Sequence, residues 1–177
     1  MKIIAFAGSN SSHSINKKLA TYAASLFNNR NTEILDLNDY ELPLFSVDRE
    51  EALGRPQLAR DFLEKIGSAD LVILSLAENN GNYSAAFKNA FDWASRIRND
   101  VFQDKPMLLM ATSPGRRGGR SVLDIAQANL PRYGGNIKAE FSLPQFYENF
   151  DLEKGVILSE EFDMALRQIV LQLQRSL

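Results

Sequence analysis

The sequence predicts a three-layer α/β domain with a five-stranded parallel sheet in the strand order 2-1-3-4-5. Short apolar runs alternate along the chain with segments whose apolar residues recur at helical spacing. Nearly continuous apolar runs are typical of strands buried on both faces, as in parallel sheets. Right-handed crossovers between such strands place helices on both faces of the sheet. All of residues 1–177 are expected to form one domain.

Five segments are predicted as strands. Three are apolar runs, Ile3–Ala7, Leu71–Leu74 and Met107–Ala111, and these predict the buried strands. Two segments alternate apolar and polar residues. Of these, Glu33–Leu37 is expected nearer an edge of the sheet, and Ile137–Phe141 is expected to be the last strand.

The segments between and after the strands predict helices, except for a long loop. That loop, Asp39–Pro56, holds two prolines, one glycine and many charges, and has room for one turn of helix. Five apolar stripes with helical spacing predict the helices. They are Ile15, Leu19, Tyr22, Ala23, Leu26 and Phe27; Leu58, Phe62, Leu63 and Ile66; Phe87, Phe91, Ala94 and Ile97; Leu123, Ala126 and Leu130; and Phe162, Leu166, Ile169, Val170 and Leu173.

Composition excludes several classes of function. The formal net charge is −2 with both signs mixed along the chain, so neither nucleic acid nor a membrane surface is an expected partner. The absence of cysteine excludes disulfides, thiolate catalysis and cysteine-bound metals. No apolar run is long enough for a signal peptide or a membrane span, which predicts a cytoplasmic protein.

A ligand site is expected where three loops meet at the carboxyl edge of the sheet. In this strand order the switch in direction lies between the first and third strands, and ligands bind at such points. The loops that follow Ala7, Leu76 and Ala111 should converge there. All three have unusual compositions, which is the main internal signal for a site.

The first loop, "GSNSSHSIN" from Gly8 to Asn16, predicts a phosphate cradle. The hydroxyls of Ser9, Ser11 and Ser14 and the amide of Asn16 can donate to phosphate oxygens. The helix beginning near Ile15 adds free backbone N–H groups and a positive dipole end.

Ordinary helix capping by Ser12 or Ser14 is the alternative for this loop. The loop matches neither a dinucleotide fingerprint nor a Walker loop. His13, the single histidine, is expected to be an exposed loop residue, because no orienting partner for it is evident.

The second loop opens the stretch "AENNGNYSAAFKNAFDW", Ala77 to Trp93. Asn79, Asn80 and Gly81 form an amide cluster that could read the edge of a planar ring. A plain turn is an equal alternative, because Asn-Gly is a strong turn signal. The aromatic residues of this stretch are expected in the core or in an interface.

The third loop is "SPGRRGGR", Ser113 to Arg120. Its glycines allow the backbone to approach a flat ligand closely. Arg116 and Arg117 could meet a phosphate or a carboxylate, although a solvated basic loop is the favoured alternative for them. No clustered carboxylates or metal-ligand spacings stand out in the sequence.

In this order, the three loops resemble the NADPH-dependent FMN reductase family, which includes quinone, chromate and azo-dye reductases. The resemblance extends from Lys2 to about Phe146. The chain departs from the family pattern at three positions, with Ser11 for an arginine, Ala77 for a proline and Asn79 for a tyrosine. The matching residues are Gly8, Ser9, Ser14, Asn16, Glu78, Asn80, Lys88, Asn89, Asp92, Trp93, Ser113, Gly115, Gly118 and Gly119.

The resemblance implies a flavodoxin-like fold and an FMN-dependent oxidoreductase. Such an enzyme would take electrons from NADPH or NADH and pass them to a quinone, flavin, dye or metal-ion acceptor. No residue is expected to be catalytic beyond positioning the flavin. The residues implied to bind the FMN phosphate are Ser9, Ser11, Ser14, Ile15 and Asn16, and those implied beside the flavin ring are Glu78, Asn79, Asn80, Gly81, Ser113, Pro114, Gly115, Gly118 and Gly119.

The resemblance also implies a homodimer or a dimer of dimers. Phe87, Phe91 and Trp93 are candidates for its interface, with packing against their own sheet as the alternative. A flavodoxin-like electron carrier is the second hypothesis for function, disfavoured by the small net charge. A receiver-type signalling domain is the third, and it lacks the acidic residues needed after the first and third strands.

Overall fold

The computed structural model describes residues 1–28 and 31–177, and within them the predicted alternation of strands and helices is confirmed. Two single-turn 3-10 helices, Leu37–Tyr40 and Leu130–Tyr133, accompany the main elements. In chain order the elements are β1 (Ile3–Gly8), α1 (Ile15–Ser25), β2 (Thr32–Leu35), α2 (Val47–Leu53), α3 (Gln57–Gly67), β3 (Leu71–Leu76), β4 (Glu78–Asn79), β5 (Asn82–Tyr83), α4 (Ala85–Ile97), β6 (Pro106–Thr112), α5 (Arg120–Asn129), β7 (Asn136–Leu143), α6 (Phe146–Asn149), β8 (Phe150–Asp151), β9 (Val156–Ile157) and α7 (Glu160–Ser176).

The central sheet is parallel throughout and has the order β2-β1-β3-β6-β7. When only the strands of this sheet are counted, the order is the predicted 2-1-3-4-5. Ile3 of β1 lies opposite Thr32 on one side and Leu71 on the other, so β1 is a central strand. Two short antiparallel hairpins, β4–β5 and β8–β9, stand outside this sheet.

The core is divided by the sheet into two layers. All six residues of β1 are buried, and successive side chains point to opposite faces. Ile4 and Phe6 therefore pack with α3, α4 and α5, whereas Ile3 and Ala5 pack with α1 and α7. Because both faces are covered by helices, the inner strands are continuous apolar runs.

The edge strand β2 is shorter than predicted. It ends at Leu35, because the Asp36 carboxylate caps a 3-10 turn by accepting from the N–H of Asn38 at 2.9 Å. The last strand is longer than predicted and runs through Leu143. The predicted loop Asp39–Pro56 contains a full helix, α2, which Ser46 caps.

The expectation that Phe87, Phe91 and Trp93 form an interface between copies is wrong. Each is at most 4% exposed and belongs to the core of its own chain. The Trp93 indole N–H donates to the Pro43 carbonyl at 2.7 Å, and its ring meets Phe45 edge to face. Trp93 therefore holds the 41–46 segment against the fold, and the three aromatic side chains have almost no exposed surface of their own.

Asn89 supplies the polar part of the same attachment. Its Nδ2 donates to the carbonyls of Leu42 at 3.0 Å and Pro43 at 3.2 Å. Its Oδ1 accepts from the backbone N–H of Phe45 at 2.8 Å. One amide therefore serves three backbone groups of a segment without regular structure.

No helix in the described parts of the chain is both long and apolar enough to span a lipid bilayer.

We expect Asn89→Ala to destabilise the protein by about 2 kcal/mol, because three backbone groups lose a hydrogen-bond partner. Urea unfolding measures the loss, and limited proteolysis should cut near Pro43 sooner. The matched control is Asn99→Ala, an exposed site that should change stability by no more than about 0.5 kcal/mol. Equal stability of the two variants would show that the segment is held by Trp93 alone.

Candidate functional site

The three predicted loops meet around a cavity of about 250 Å³ at the carboxyl edge of β1, β3 and β6. The cavity thus lies at the switch point of the sheet. Nine of the fourteen predicted site residues line it. The other lining residues, which were not predicted as site residues, are His13, Ala77, Thr112 and Tyr147. The lining is Ser9, Ser11, His13, Ser14, Ile15, Asn16, Ala77, Glu78, Asn79, Thr112, Ser113, Pro114 and Tyr147.

The serines of the first loop are hydrogen-bonded to the loop's own backbone. Ser9 Oγ accepts from the N–H of Ser11 at 3.2 Å, and Ser11 Oγ accepts from the N–H of His13 at 3.3 Å. Ser14 is the N-cap of α1 and accepts from the N–H of Lys17 at 3.1 Å. Each hydroxyl accepts in these bonds and so retains its own hydrogen for a ligand.

The first turn of α1 offers further donors to the cavity. The Ser14 cap takes up the N–H of Lys17, but no protein acceptor within residues 1–28 and 31–177 meets the N–H groups of Ile15 and Asn16. The positive end of the helix dipole lies at the same place. Serine hydroxyls, free N–H groups and a helix dipole together form a donor set suited to a phosphate.

Asn16 joins this turn to the sheet. Its buried side chain accepts from the Ser75 hydroxyl at 2.8 Å and from the N–H of Thr112 at 3.0 Å, and it donates to the Thr112 carbonyl at 3.1 Å. The amide predicted to donate to a phosphate is thus engaged inside the fold. Only the backbone N–H of Asn16 stays available to the cavity.

The second loop is a tight hairpin. Asn80 and Gly81 connect β4 to β5, and both have positive φ, 52° and 75°. Two-residue hairpin loops favour Asn-Gly for this reason. The plain-turn alternative therefore accounts for Asn80 and Gly81, which do not line the cavity, whereas Asn79 does.

Glu78 connects the second loop to the third. Its Oε2 accepts from the N–H of Val122 at 3.1 Å, in the first turn of α5. Gly119, at the N-cap position of α5, makes no side-chain cap, so Glu78 satisfies one of the free N–H groups of that helix. The carboxylate thus fixes the relative position of two walls of the cavity.

Gly118 and Gly119 are required by the packing of the third loop. They have positive φ, 57° and 79°. A Cβ on Gly118 would lie 2.4 Å from Ser142 Oγ, and one on Gly119 would lie 2.7 Å from Ala111 Cβ. With Gly115, these glycines lie outside the cavity lining.

Tyr147 is a cavity residue that sequence reasoning missed. It lies on α6, after the last strand, whereas the switch-point rule directed attention to the loops after β1, β3 and β6. The segment is tied to the third loop, because the N–H groups of Gln145 and Phe146 donate to the carbonyls of Gly115 and Ser113 at 3.0 and 3.1 Å. The Tyr147 side chain is exposed and free to meet a ligand.

The phenol of Tyr83 is protonated at neutral pH. Burial raises the pKa of Tyr83 to about 12. The ring packs on Phe87 beneath the hairpin and does not line the cavity. Its place is therefore structural.

The family model described as NADPH-dependent FMN reductase matches residues 1–146. The chain belongs to this family. The NADPH:quinone oxidoreductase of Arabidopsis thaliana is 37% identical, over 80% of this chain and 72% of that protein. The NAD(P)H:quinone oxidoreductase of Solanum tuberosum is 32% identical, over 98% and 91%.

Solved structures agree with this assignment. FerB of Paracoccus denitrificans, a flavoenzyme NAD(P)H:acceptor oxidoreductase, is 26% identical with a TM-score of 0.74, covering 96% of this chain and 93% of that one. An FMN-dependent NADH-azoreductase of Bacillus anthracis in complex with FMN shares the fold, with 13% identity, a TM-score of 0.68 and coverage of 98% and 99%. As a member of the family, the chain is an NAD(P)H-dependent oxidoreductase with FMN as its cofactor.

We expect Asn16→Ala to lower the free energy of unfolding by about 3 kcal/mol, because buried groups of Ser75 and Thr112 lose their partner. Chemical denaturation measures the change. Asn10→Ala, an exposed position in the same loop, is the control and should stay within about 0.5 kcal/mol of the parent. If both variants unfolded alike, the Asn16 amide would have no stabilising role.

Proposed function

We propose that the protein reduces quinones with electrons from NADPH or NADH, with FMN bound in the cavity of about 250 Å³. The observation that carries this proposal is the phosphate-type donor set at the start of α1, placed at the switch point of the sheet. When bound, FMN would supply the hydride-accepting and electron-transfer chemistry between the nicotinamide and the acceptor. The protein supplies position and electrostatics.

The FMN phosphate would be held by the first loop. The hydroxyls of Ser9, Ser11 and Ser14 would donate to it, joined by the backbone N–H groups of Ile15 and Asn16. These groups are fixed by their own hydrogen bonds before the ligand arrives, so little reorganisation is needed.

The flavin ring would lie between the second and third loops. Glu78, Asn79, Ser113 and Pro114 line that part of the cavity. The other predicted ring residues would set the backbone conformation of the same two loops. They are Asn80, Gly81, Gly115, Gly118 and Gly119. No side chain of this set is expected to transfer a proton.

Quinone as the acceptor is supported by relatives. The two plant proteins carry that activity in their names, and a relative from Burkholderia sp, 34% identical over 74% of this chain, is a 2-hydroxy-1,4-benzoquinone reductase. Free flavin, a dye or a metal ion is the alternative acceptor. Comparing turnover with each class separates them.

We further propose a cytoplasmic homodimer or dimer of dimers. Since Phe87, Phe91 and Trp93 are buried, the interface would use other residues. Exposed apolar side chains on and beside α2, at Leu44, Val47 and Leu53, are the better candidates. A monomeric mass by light scattering would overturn the proposal.

The first test is a visible spectrum after FMN is added and the excess removed. A retained flavin band that NADPH bleaches, and that a quinone restores, supports the function. A protein that neither retains FMN nor turns over with excess FMN would overturn it.

We expect Ser11→Arg to bind FMN about tenfold more tightly, because it supplies a charge-assisted phosphate contact at the family's arginine position. Fluorescence titration measures the dissociation constant. Asn10→Arg adds the same charge outside the cavity lining and should change the affinity far less. Equal gains in both variants would indicate only a general effect of charge.

We expect Tyr147→Phe to retain FMN affinity but to raise the fluorescence of bound FMN, because a nearby phenol quenches an excited flavin by electron transfer and a phenyl ring does not. Tyr147→Leu should also weaken binding, by about fivefold. Tyr133→Phe, which packs on Phe91 away from the cavity, is the control. Unchanged fluorescence in Tyr147→Phe would place Tyr147 away from the flavin ring.

A further inference from the structure

A second cavity, of about 530 Å³, runs along α1 beside the β8–β9 hairpin. We call it the α1 groove. Its lining differs from that of the cavity proposed for FMN except at His13 and Ser14. Its lining is Ser12, His13, Ser14, Lys17, Lys18, Thr21, Tyr22, Ser25, Phe150, Lys154 and Gly155.

Among the residues that the structure describes, three lysines and no acidic residue line the α1 groove. Lys18 is exposed, and no carboxylate of residues 1–28 and 31–177 lies within 4 Å of it. The Lys154 side chain is 76% exposed, and among the described residues its ammonium pairs only with Asp151, three positions earlier, at 3.6 Å. Exposed pairs of this kind are weak and leave the ammonium available to a ligand.

The third lysine, Lys17, is paired with the Asp36 carboxylate. This bond holds the pKa of Asp36 below its ordinary value, so the Asp36 carboxylate stays charged at neutral pH. Asp36 therefore holds the Lys17 ammonium in place at the side of the α1 groove. Lys18 and Lys154 are the two cations free to turn toward an anion.

The floor of the α1 groove is neutral and rigid. The Tyr22 hydroxyl donates to Asp163 and accepts from Arg167 at 3.0 Å, and burial raises the pKa of Tyr22 to about 12. Phe150 packs edge to face on the Tyr22 ring. Asp163 and Arg167 pair with each other at 2.7 Å, so their charges offset beneath the floor.

The two cavities adjoin at the first loop. His13 and Ser14 line both of them. His13 Nδ1 lies 2.9 Å from Ser12 Oγ, which leaves the other ring nitrogen directed away from that bond. A ligand long enough to occupy both cavities would pass this loop.

We propose that the α1 groove binds the adenosine end of the nicotinamide cofactor, with Lys18 and Lys154 contacting its 2′-phosphate. The inference rests on the proposed function. A diphosphate is common to NADH and NADPH, whereas the 2′-phosphate is present only in NADPH. Two free cations in a groove without carboxylates stabilise that dianion and give the enzyme a preference for NADPH.

The test uses adenosine 2′,5′-bisphosphate, which contains the 2′-phosphate without the nicotinamide. Its binding is titrated by calorimetry on protein with and without saturating FMN, and adenosine 5′-phosphate is the comparison ligand. Lys18→Gln and Lys154→Gln should each weaken the bisphosphate by about fivefold. Neither variant should alter binding of the monophosphate by more than about twofold.

Lys138→Gln, an exposed lysine on β7 outside the groove, is the matched control and should bind like the parent. In turnover, the KM for NADPH should rise in the two groove variants while the KM for NADH stays unchanged. Bisphosphate affinity equal in all variants would overturn the inference. So would displacement of the bisphosphate by FMN, which would place it in the flavin cavity.

The experiment separates this inference from the proposed function. If the protein fails to retain FMN, the bisphosphate titration still reports on the α1 groove. If FMN binds and NADPH reduces it with no effect of either lysine, the function stands and the groove assignment fails.

Discussion

The buried amide of Asn16 is the interaction on which the site depends. In parallel α/β folds the strands end at one edge, but nothing in the sheet itself fixes the next helix relative to those ends. Here a single side chain bonds to Ser75 at the end of β3 and to both backbone groups of Thr112 at the end of β6. The start of α1, with its capping serine and free N–H groups, is thereby held against the two central strands. Removal of the Asn16 amide would leave the Ser75 hydroxyl and both backbone groups of Thr112 buried without a partner, which would lower the free energy of unfolding.

The first loop shows that structural capping and ligand binding are not exclusive alternatives. Ser14 caps α1 by accepting a hydrogen bond, so its hydroxyl hydrogen stays available. The same holds for Ser9 and Ser11, which accept from the loop's own backbone. A loop organised in this way presents its donors before a ligand binds. Such preorganisation lowers the conformational entropy that is lost when a ligand binds.

Hydrogen bonds connect the loops that form the walls of the cavity. Glu78 of the second loop bonds to the start of α5, and the segment carrying Tyr147 bonds to the backbone of the third loop. Gly118 and Gly119 permit this packing because their positive φ and lack of a Cβ bring the third loop against β6 and β7. Residues that a motif marks as ligand contacts can thus be needed for assembly of the site instead.

The sequence by itself determined the layers, the strand order and the convergence of three loops, because buried parallel strands and amphipathic helices leave direct periodic signals. Only the tertiary structure decided which loop residues line the cavity. The Asn16 amide points into the fold, where it hydrogen-bonds to groups at the ends of two strands. Trp93 lies in the core, where its indole N–H donates to the Pro43 carbonyl. Both cavities combine residues that are distant in sequence. Tyr147 lines the first cavity beside the loop that follows β1, and the β8–β9 hairpin lines the α1 groove beside α1. No local pattern records such contacts, because they depend on the packing of α6 and the β8–β9 hairpin beside α1.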